Sequence, residues 1–134
     1  MPRDAKKKIV IAEDDPAILE LVTIRLELAG YHAIPCRDGI QALNKVYAMR
    51  PDAMILDIGL PGMDGFGVLV QLGKRVETMP VLMLTARHTE EDVKRALQMG
   101  AKGYLSKPFD DKALLQRIAR LLAPAPAPSN VCQV

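Results

Sequence analysis

Four candidate strand ends in this sequence carry groups whose chemistries fit together. Glu13 and Asp14 follow IVIA, Asp57 follows MIL, Thr85 closes VLMLT, and Lys107 follows GYLS. Three carboxylates brought to one place repel one another and partly protonate unless a hard cation sits among them. An all-oxygen, water-rich cluster of that kind suits Mg²⁺. A lysine ammonium and a threonine hydroxyl, added to such a cation, are the parts that hold the equatorial oxygens of a phosphoryl group. Asp57 is then the nucleophile, since a carboxylate that attacks phosphorus gives an aspartyl phosphate. Each residue alone has a plainer reading: acids that start a helix, an aspartate that caps a turn, a strand threonine, a surface lysine. Their concurrence on four strand ends carries the chemistry.

For these groups to meet, all four strand ends must lie on one edge of one sheet. The stretch DAMILDIGLPGMDG, Asp52 to Gly65, shows how that is arranged. Met54, Ile55 and Leu56 read as a strand buried on both faces, because strands inside parallel sheets lose alternation and become continuous apolar runs. Gly59, Pro61 and Gly62 force a loop straight after it. Asp57 is left at the carboxyl edge of the sheet, where ligands bind in open α/β folds.

The same strand-then-helix unit recurs along the chain. Lys8 to Ala12 is a strand, and Pro16 opens a helix to about Gly30, with Ile18, Leu21, Val22, Leu28 and Ala29 as its apolar stripe and Ile24 and Leu26 beside it. Tyr31 to Cys36 is a shorter strand. A helix carrying Ile40, Ala42, Leu43, Val46 and Tyr47 follows Asp38-Gly39 and stops before Pro51. Asp64 and Gly65 open a third helix through about Val76, softened by Gly67 and Gly73 at about 1 kcal/mol each relative to Ala. Pro80 to Thr85 is a strand, Thr89 to Met99 a helix ended by Gly100, and Lys102 to Ser106 a strand. Asp110 starts a last helix with Leu114, Leu115, Ile118, Leu121 and Leu122 inward. Five alternations of strand and helix predict a doubly wound parallel sheet covered on both faces. One domain spans residues 1–123, and residues 124–134, punctuated by Pro124, Pro126 and Pro128, read as an extended tail.

Composition narrows the function classes. At 134 residues, the chain has the length of one domain that buries roughly two-thirds of its unfolded surface without staples. Net charge is +2, from 18 basic and 16 acidic residues. The only basic run, Lys6 to Lys8, reads as a solvated strand entrance, so no nucleic-acid footprint is expected. Aromatic residues make up 4% with no Trp, which leaves few platforms for stacking bases. Cys36 and Cys132 form no CxxC or Cys/His cluster; the first reads as a buried small hydrophobe and the second as a tail thiol. Met63, Met79, Met83 and Met99 read as core filler, and His32 and His88 as ordinary polar residues. No signal peptide or membrane span is recognisable, so a cytoplasmic protein is expected.

The segments IVIAEDDP, MILDIGLPGMDG, VLMLTA and GYLSKPF, in that order, resemble the motifs of the receiver domain of two-component response regulators, over residues 8 to about 122. The resemblance implies a flavodoxin-like (βα)₅ fold with strand order 2-1-3-4-5. It implies Mg²⁺ held by Glu13, Asp14, Asp57 and the backbone carbonyl of Gly59, and phosphoryl transfer to Asp57 from a histidine kinase or histidine phosphotransfer protein. Thr85 and Lys107 would bind the phosphoryl oxygens, Ala86 would leave room for a loop shift, and Tyr104 would be the rotamer switch. The protein would act by switching the binding of a downstream protein effector. It would be no enzyme beyond catalysing its own phosphorylation and dephosphorylation.

This chain departs from the common pattern at Gly59 and Arg87, which flank the path of attacking water and leave the phosphoryl lifetime open. Lys102-Gly103 replaces the acidic pair that often precedes the switch Tyr in regulators dimerising through the fourth helix, fifth strand and fifth helix. A symmetric contact there would set Lys102 against Lys94 or Arg95, so a monomer, or a dimer through another face such as the first or last helix, is expected. Three alternatives compete. The chain is the receiver half of a DNA-binding regulator, with Pro124 to Pro128 as linker; or an aspartyl-phosphate phosphatase, which wants a second acid two residues after its nucleophile, where Asp57 is followed by Ile58-Gly59; or a flavin-binding domain, whose phosphate Glu13-Asp14-Asp15 would repel.

Overall fold

A five-stranded parallel sheet in the order β2-β1-β3-β4-β5 is the middle layer of the computed structural model, which describes residues 6–86 and 89–123. The strands are β1 (Lys8–Ala12), β2 (His32–Cys36), β3 (Ala53–Leu56), β4 (Val81–Thr85) and β5 (Gly103–Ser106). The helices are α1 (Pro16–Leu28), α2 (Gly39–Met49), α3 (Gly65–Leu72), α4 (Glu90–Gln98) and α5 (Asp111–Leu122). This is the expected flavodoxin-like (βα)₅ fold. The register aligns Ala12 with both Cys36 and Leu56, Leu56 with Met83, and Thr85 with Ser106, so the strand ends finish together on one edge.

Alternate residues of the fully buried strands face opposite layers. Val10, Met54, Leu56 and Met83 pack with Phe66, Leu69 and Leu72 of α3 and with α2. Ile9, Ile11, Ile55, Leu82 and Leu84 pack with α1 and α5 on the other side. Each fully buried side chain of this kind stabilises the fold by roughly 1.5–3 kcal/mol through apolar area removed from water. Each of these five α-helices starts on a side-chain cap: Asp15, Asp38, Asp64, Thr89 and Asp110 each accept a backbone N–H from the first turn.

The structure corrects three local expectations. The third helix stops at Leu72, because Gly73 turns to φ 55° and the chain continues as a 3₁₀ helix, Gly73–Glu77, instead of running to Val76 as one α-helix. On α1 the buried positions are Leu19, Val22 and Leu26. Leu21 and Leu28, expected in the inward stripe, and Ile24, expected beside it, are 40%, 76% and 47% exposed, since the sheet accommodates only one narrow side of the helix. Lys8 is tied down rather than solvated: its Nζ donates to the Met49 carbonyl at 2.6 Å and its backbone N–H to Asp52 at 2.8 Å. Met79 and Met83 are core residues, with Met63 and Met99 packed against them, and Cys36 is buried as expected. His32 is exposed. Cys132, His88, Arg87 and the expected tail 124–134 lie outside the described residues. Among the described residues no helix is long and apolar enough to cross a membrane.

Candidate functional site

The carboxyl edge of the sheet gathers the candidate residues because each strand hands its last backbone hydrogen bond to a neighbour. The Glu13 N–H donates to the Cys36 carbonyl at 3.1 Å, the Asp57 N–H to Ala12 at 3.1 Å, and the Lys107 N–H to Thr85 at 3.1 Å. These bonds extend the ladders one residue past β1, β3 and β5 and fix where the side chains depart. Glu13, Asp57 and Thr85 are the buried polar residues among those described, at 1%, 5% and 1% exposure. Buried polar groups at a sheet edge require partners.

Those partners are supplied locally. The Glu13 Oε2 accepts the Asp15 N–H at 3.0 Å, which folds the β1–α1 turn over the carboxylate. Asp57 Oδ1 accepts the Gly59 N–H at 3.2 Å, so the loop after β3 curls back on the acid that starts it. The Lys107 ammonium lies between the two acids, 2.6 Å from Glu13 Oε1 and 3.0 Å from Asp57 Oδ2. The Lys107–Pro108 peptide bond is cis. Gly65 closes the floor: its N–H donates to the Ile58 carbonyl at 2.7 Å, and a Cβ there would come 2.6 Å from the Asp57 carbonyl oxygen. Only glycine allows the start of α3 to press this closely on the backbone of the acid.

Carboxylate oxygens of Glu13, Asp14 and Asp57 all lie within 4.8 Å of one another, with Asp14 exposed and the other two buried. Burial raises the Glu13 pKa above the usual range, with the Asp57 charge adding to the effect and the Lys107 and Asp15 hydrogen bonds opposing it. Burial alone would lower the Lys107 pKa, but its hydrogen bonds to Glu13 and Asp57 outweigh that and raise it, so the ammonium stays charged. One ammonium against three carboxylates leaves the cluster electron-rich. Glu13 Oε1 faces the Lys107 ammonium at 2.6 Å and keeps acceptor capacity beyond that contact. An all-oxygen cluster with one solvent-facing member and one buried oxygen that can still accept fits a hard dication that keeps part of its water shell.

Of the residues expected at the site, Glu13, Asp14, Asp57, Gly59 and Lys107 are brought together directly, and Thr85 is buried at the end of β4 beside Lys107. Ala86, next to Thr85, is exposed. Tyr104 stands apart on β5, partly buried against the α3 side core, and its carbonyl accepts Arg117 Nη1 at 2.6 Å. Two contributors were missed. The close approach of Gly65 to Asp57 had no signal beyond the glycine itself. The Arg37 guanidinium, which donates to the Asp14 carbonyl at 3.4 Å from the β2–α2 loop, lies 23 residues away in sequence and carries no local pattern.

With this geometry in place, comparison with known proteins is specific. Residues 9–119 match the family model described as response regulator receiver domain. The DNA-binding dual master transcriptional regulator RpaA of Synechocystis sp. is 43% identical over 117 residues, which are 86% of this chain and 48% of that protein. The chain spans about half the length of the curated relatives it matches. Among solved structures, the Vibrio cholerae chemotaxis protein CheY4 superposes with a TM-score of 0.82 at 33% identity, covering 88% of this chain and 100% of that one. The receiver domain of sensor histidine kinase PA1611 from Pseudomonas aeruginosa, solved with a magnesium ion coordinated in its active-site cleft, superposes with a TM-score of 0.79 at 30% identity. It covers 88% of this chain and 98% of that one.

Proposed function

This chain belongs to the response regulator receiver domain family, and from that premise we propose that Asp57 is its phosphoacceptor and that phosphorylation switches the binding of a partner. One observation carries the reading: a lysine from the end of β5 clasps the buried Glu13 and Asp57 beside the exposed Asp14. A lysine held there is in place to follow charge from the carboxylates to an incoming phosphoryl group. Asp57 Oδ attacks the phosphorus of a phosphohistidine; the O–P bond forms, the P–N bond breaks, and its electron pair returns to the imidazole nitrogen. Lys107 and the Thr85 hydroxyl take the equatorial oxygens as the charge develops. Glu13, Asp14, Asp57 and the Gly59 carbonyl would hold Mg²⁺, which supplies charge screening that lets an anionic donor approach; the fit of the donor set and the magnesium in the PA1611 relative support this.

Capture of the Thr85 hydroxyl draws the β4–α4 loop at Ala86 toward the site, and Tyr104 turns into the space that opens. The donor is a histidine kinase or histidine phosphotransfer protein, the setting is the cytoplasm, and the readout is a downstream protein effector. Dephosphorylation uses the same residues with water as the nucleophile, and Gly59 leaves its approach open. Lys102 is exposed and replaces an acid, which favours a monomer or a dimer away from α4, β5 and α5. The regulator-like length of the curated relatives supports a second reading, in which residues 1–123 are the receiver half of a longer DNA-binding protein. A phosphorylated histidine phosphotransfer domain should pass its label to this chain and not to Asp57→Asn. Equal transfer to both would remove Asp57 from its role. A phosphorylation-driven dimer that Lys102→Asp weakens would favour the DNA-binding reading.

A further inference from the structure

A cleft of about 330 Å³ lies at the amino edge of the sheet, where the end of α2 faces the turn between the 3₁₀ helix and β4. Val46 and Met79 line it as buried apolar residues, and the exposed Tyr47, Arg50, Arg75 and Thr78 complete it. The Arg75 guanidinium sits 4.7 Å from the centroid of the Tyr47 ring, which ties the 3₁₀ helix to α2 and restricts where the guanidinium points. Among the described residues Arg50 alone, apart from glycines, has a positive φ, at 48°. That conformation is unfavourable for a residue with a Cβ, and such outliers gather where a side chain has work to do. No carboxylate pairs with either guanidinium among the described residues. The charged groups that flank the cleft in sequence are engaged elsewhere. Lys8 Nζ donates to the Met49 carbonyl at 2.6 Å, which offsets the negative end of α2, and the Asp52 carboxylate accepts the Lys8 backbone N–H at 2.8 Å.

We propose that this cleft binds a small phosphomonoester, with Arg50 and Arg75 on the phosphoryl oxygens and Val46, Tyr47 and Met79 against an apolar body such as a ring. The site lies at the opposite edge of the sheet from Asp57, so the proposal goes beyond the phosphoacceptor reading and does not depend on it. Two guanidinia from separate elements, with no acid between them, leave positive charge that a bound anion offsets. A guanidinium meets a phosphoryl group through two parallel hydrogen bonds, and Arg75 is held near one orientation before the ligand arrives. The Thr78 hydroxyl donates to the Arg75 carbonyl at 3.3 Å and can turn to a charged oxygen instead. A phosphoryl dianion matches both cations, where a carboxylate brings one charge. The volume is that of a pocket for a small molecule. No carboxylate, thiol or imidazole lines the cleft, so a metal finds no ligand set there. Two arginines are also too small a footprint for a nucleic-acid backbone. A ligand held this way bridges α2 and the 3₁₀ helix, and so fastens the segment that follows α3 to its neighbour.

The test titrates the full chain with phenyl phosphate and follows its amide resonances, in EDTA so that no metal draws the anion to the Asp57 edge. Benzyl alcohol and inorganic phosphate are the comparison ligands, one lacking the charge and the other the ring. Phenyl phosphate should move the amides of Tyr47, Arg75 and Thr78 and bind at least about tenfold more tightly than either comparison ligand, because each lacks one of the two contacts. Arg50→Asn removes the cation and keeps a residue that tolerates the left-handed turn, and Arg75→Gln removes the other cation. Each should weaken binding at least about fivefold, with the spectrum away from the cleft unchanged. Arg75→Lys should also bind less tightly, since it keeps the charge and loses the fork. Asp57→Asn should bind as the parent chain does. Parent-like affinity in both Arg50→Asn and Arg75→Gln, shifts centred on Glu13 and Asp57, or equal affinity for benzyl alcohol or inorganic phosphate would each overturn the assignment.

Discussion

Helices α3 and α4 are almost equal in length, at 8 and 9 residues, and are held by very different means. α3 buries Gly65, Phe66, Val68, Leu69 and Leu72, and its first residue presses on the backbone of Asp57. α4 buries only Ala96 and otherwise presents charge, with Leu97 48% exposed. The loop that carries Asp57 is therefore clamped by a helix that cannot shift without opening the core. α4, which adds only Ala96 to that same core cluster, rests on little apolar area. Elements with few buried contacts open at lower free energy than the core. The Asp57 loop and the α4 surface thus rest on helices with opposite anchoring.

The largest test of that contrast is a pair of truncations. Phe66→Ala should cost about 3–5 kcal/mol by leaving a cavity at the α3 core, while Leu97→Ala on α4 should stay within about 0.5 kcal/mol. Urea unfolding of both checks this, and comparable losses would erase the distinction.

The firm side can also be probed through Cys36, whose thiol burial pushes up from 9.0 to about 11. The folded state holds that proton more tightly than the unfolded chain. Stability from this group is therefore full below pH 9.0 and declines as pH rises toward about 11, by on the order of 1.4 kcal/mol per unit. Cys36→Ala should flatten that part of the stability profile; an unchanged slope would place its origin elsewhere.

Gly65→Ala should cost about 1–3 kcal/mol, because the new methyl meets the backbone of Asp57 and Ile58 and forces α3 outward. Phosphoryl labelling should slow with it. Retained stability and labelling would show that α3 is not the clamp described here.

The smallest effect concerns a cation–π contact between the two helices. The Arg95 guanidinium lies 4.0 Å from the centroid of the Phe66 ring, and Arg95→Ala should cost about 0.5–1 kcal/mol. Amide exchange should rise in α4 and not in α3; equal acceleration in both would make them one cooperative unit.

The contrast between the two helices also marks what could be read from residue order. Strand runs such as MIL and VLML, and helix starts such as Pro16 and Asp110, are local signals and predicted the elements that formed. The site was legible because parallel strands bring their carboxyl ends to one edge, so Glu13, Asp14, Asp57, Thr85 and Lys107 needed only the right topology. What escaped depends on packing between distant segments. Leu21, Ile24 and Leu28 have the residue type of a core and lie where no neighbour covers them. Gly73 was recognised as weakening, yet its left-handed turn, which ends α3 four residues early, is fixed by how the chain must re-enter β4. The clasp of Lys107 on Glu13 spans most of the chain and has no sequence pattern.

Intact-mass analysis after incubation with a small phosphodonor such as acetyl phosphate tests the central claim most directly. The account predicts a gain of one phosphoryl group that requires Mg²⁺, disappears with EDTA, and is absent from Asp57→Asn, because the carboxylate cluster repels an anionic donor until a cation screens it. A gain of the same size in Asp57→Asn, or one that EDTA leaves unchanged, would contradict it.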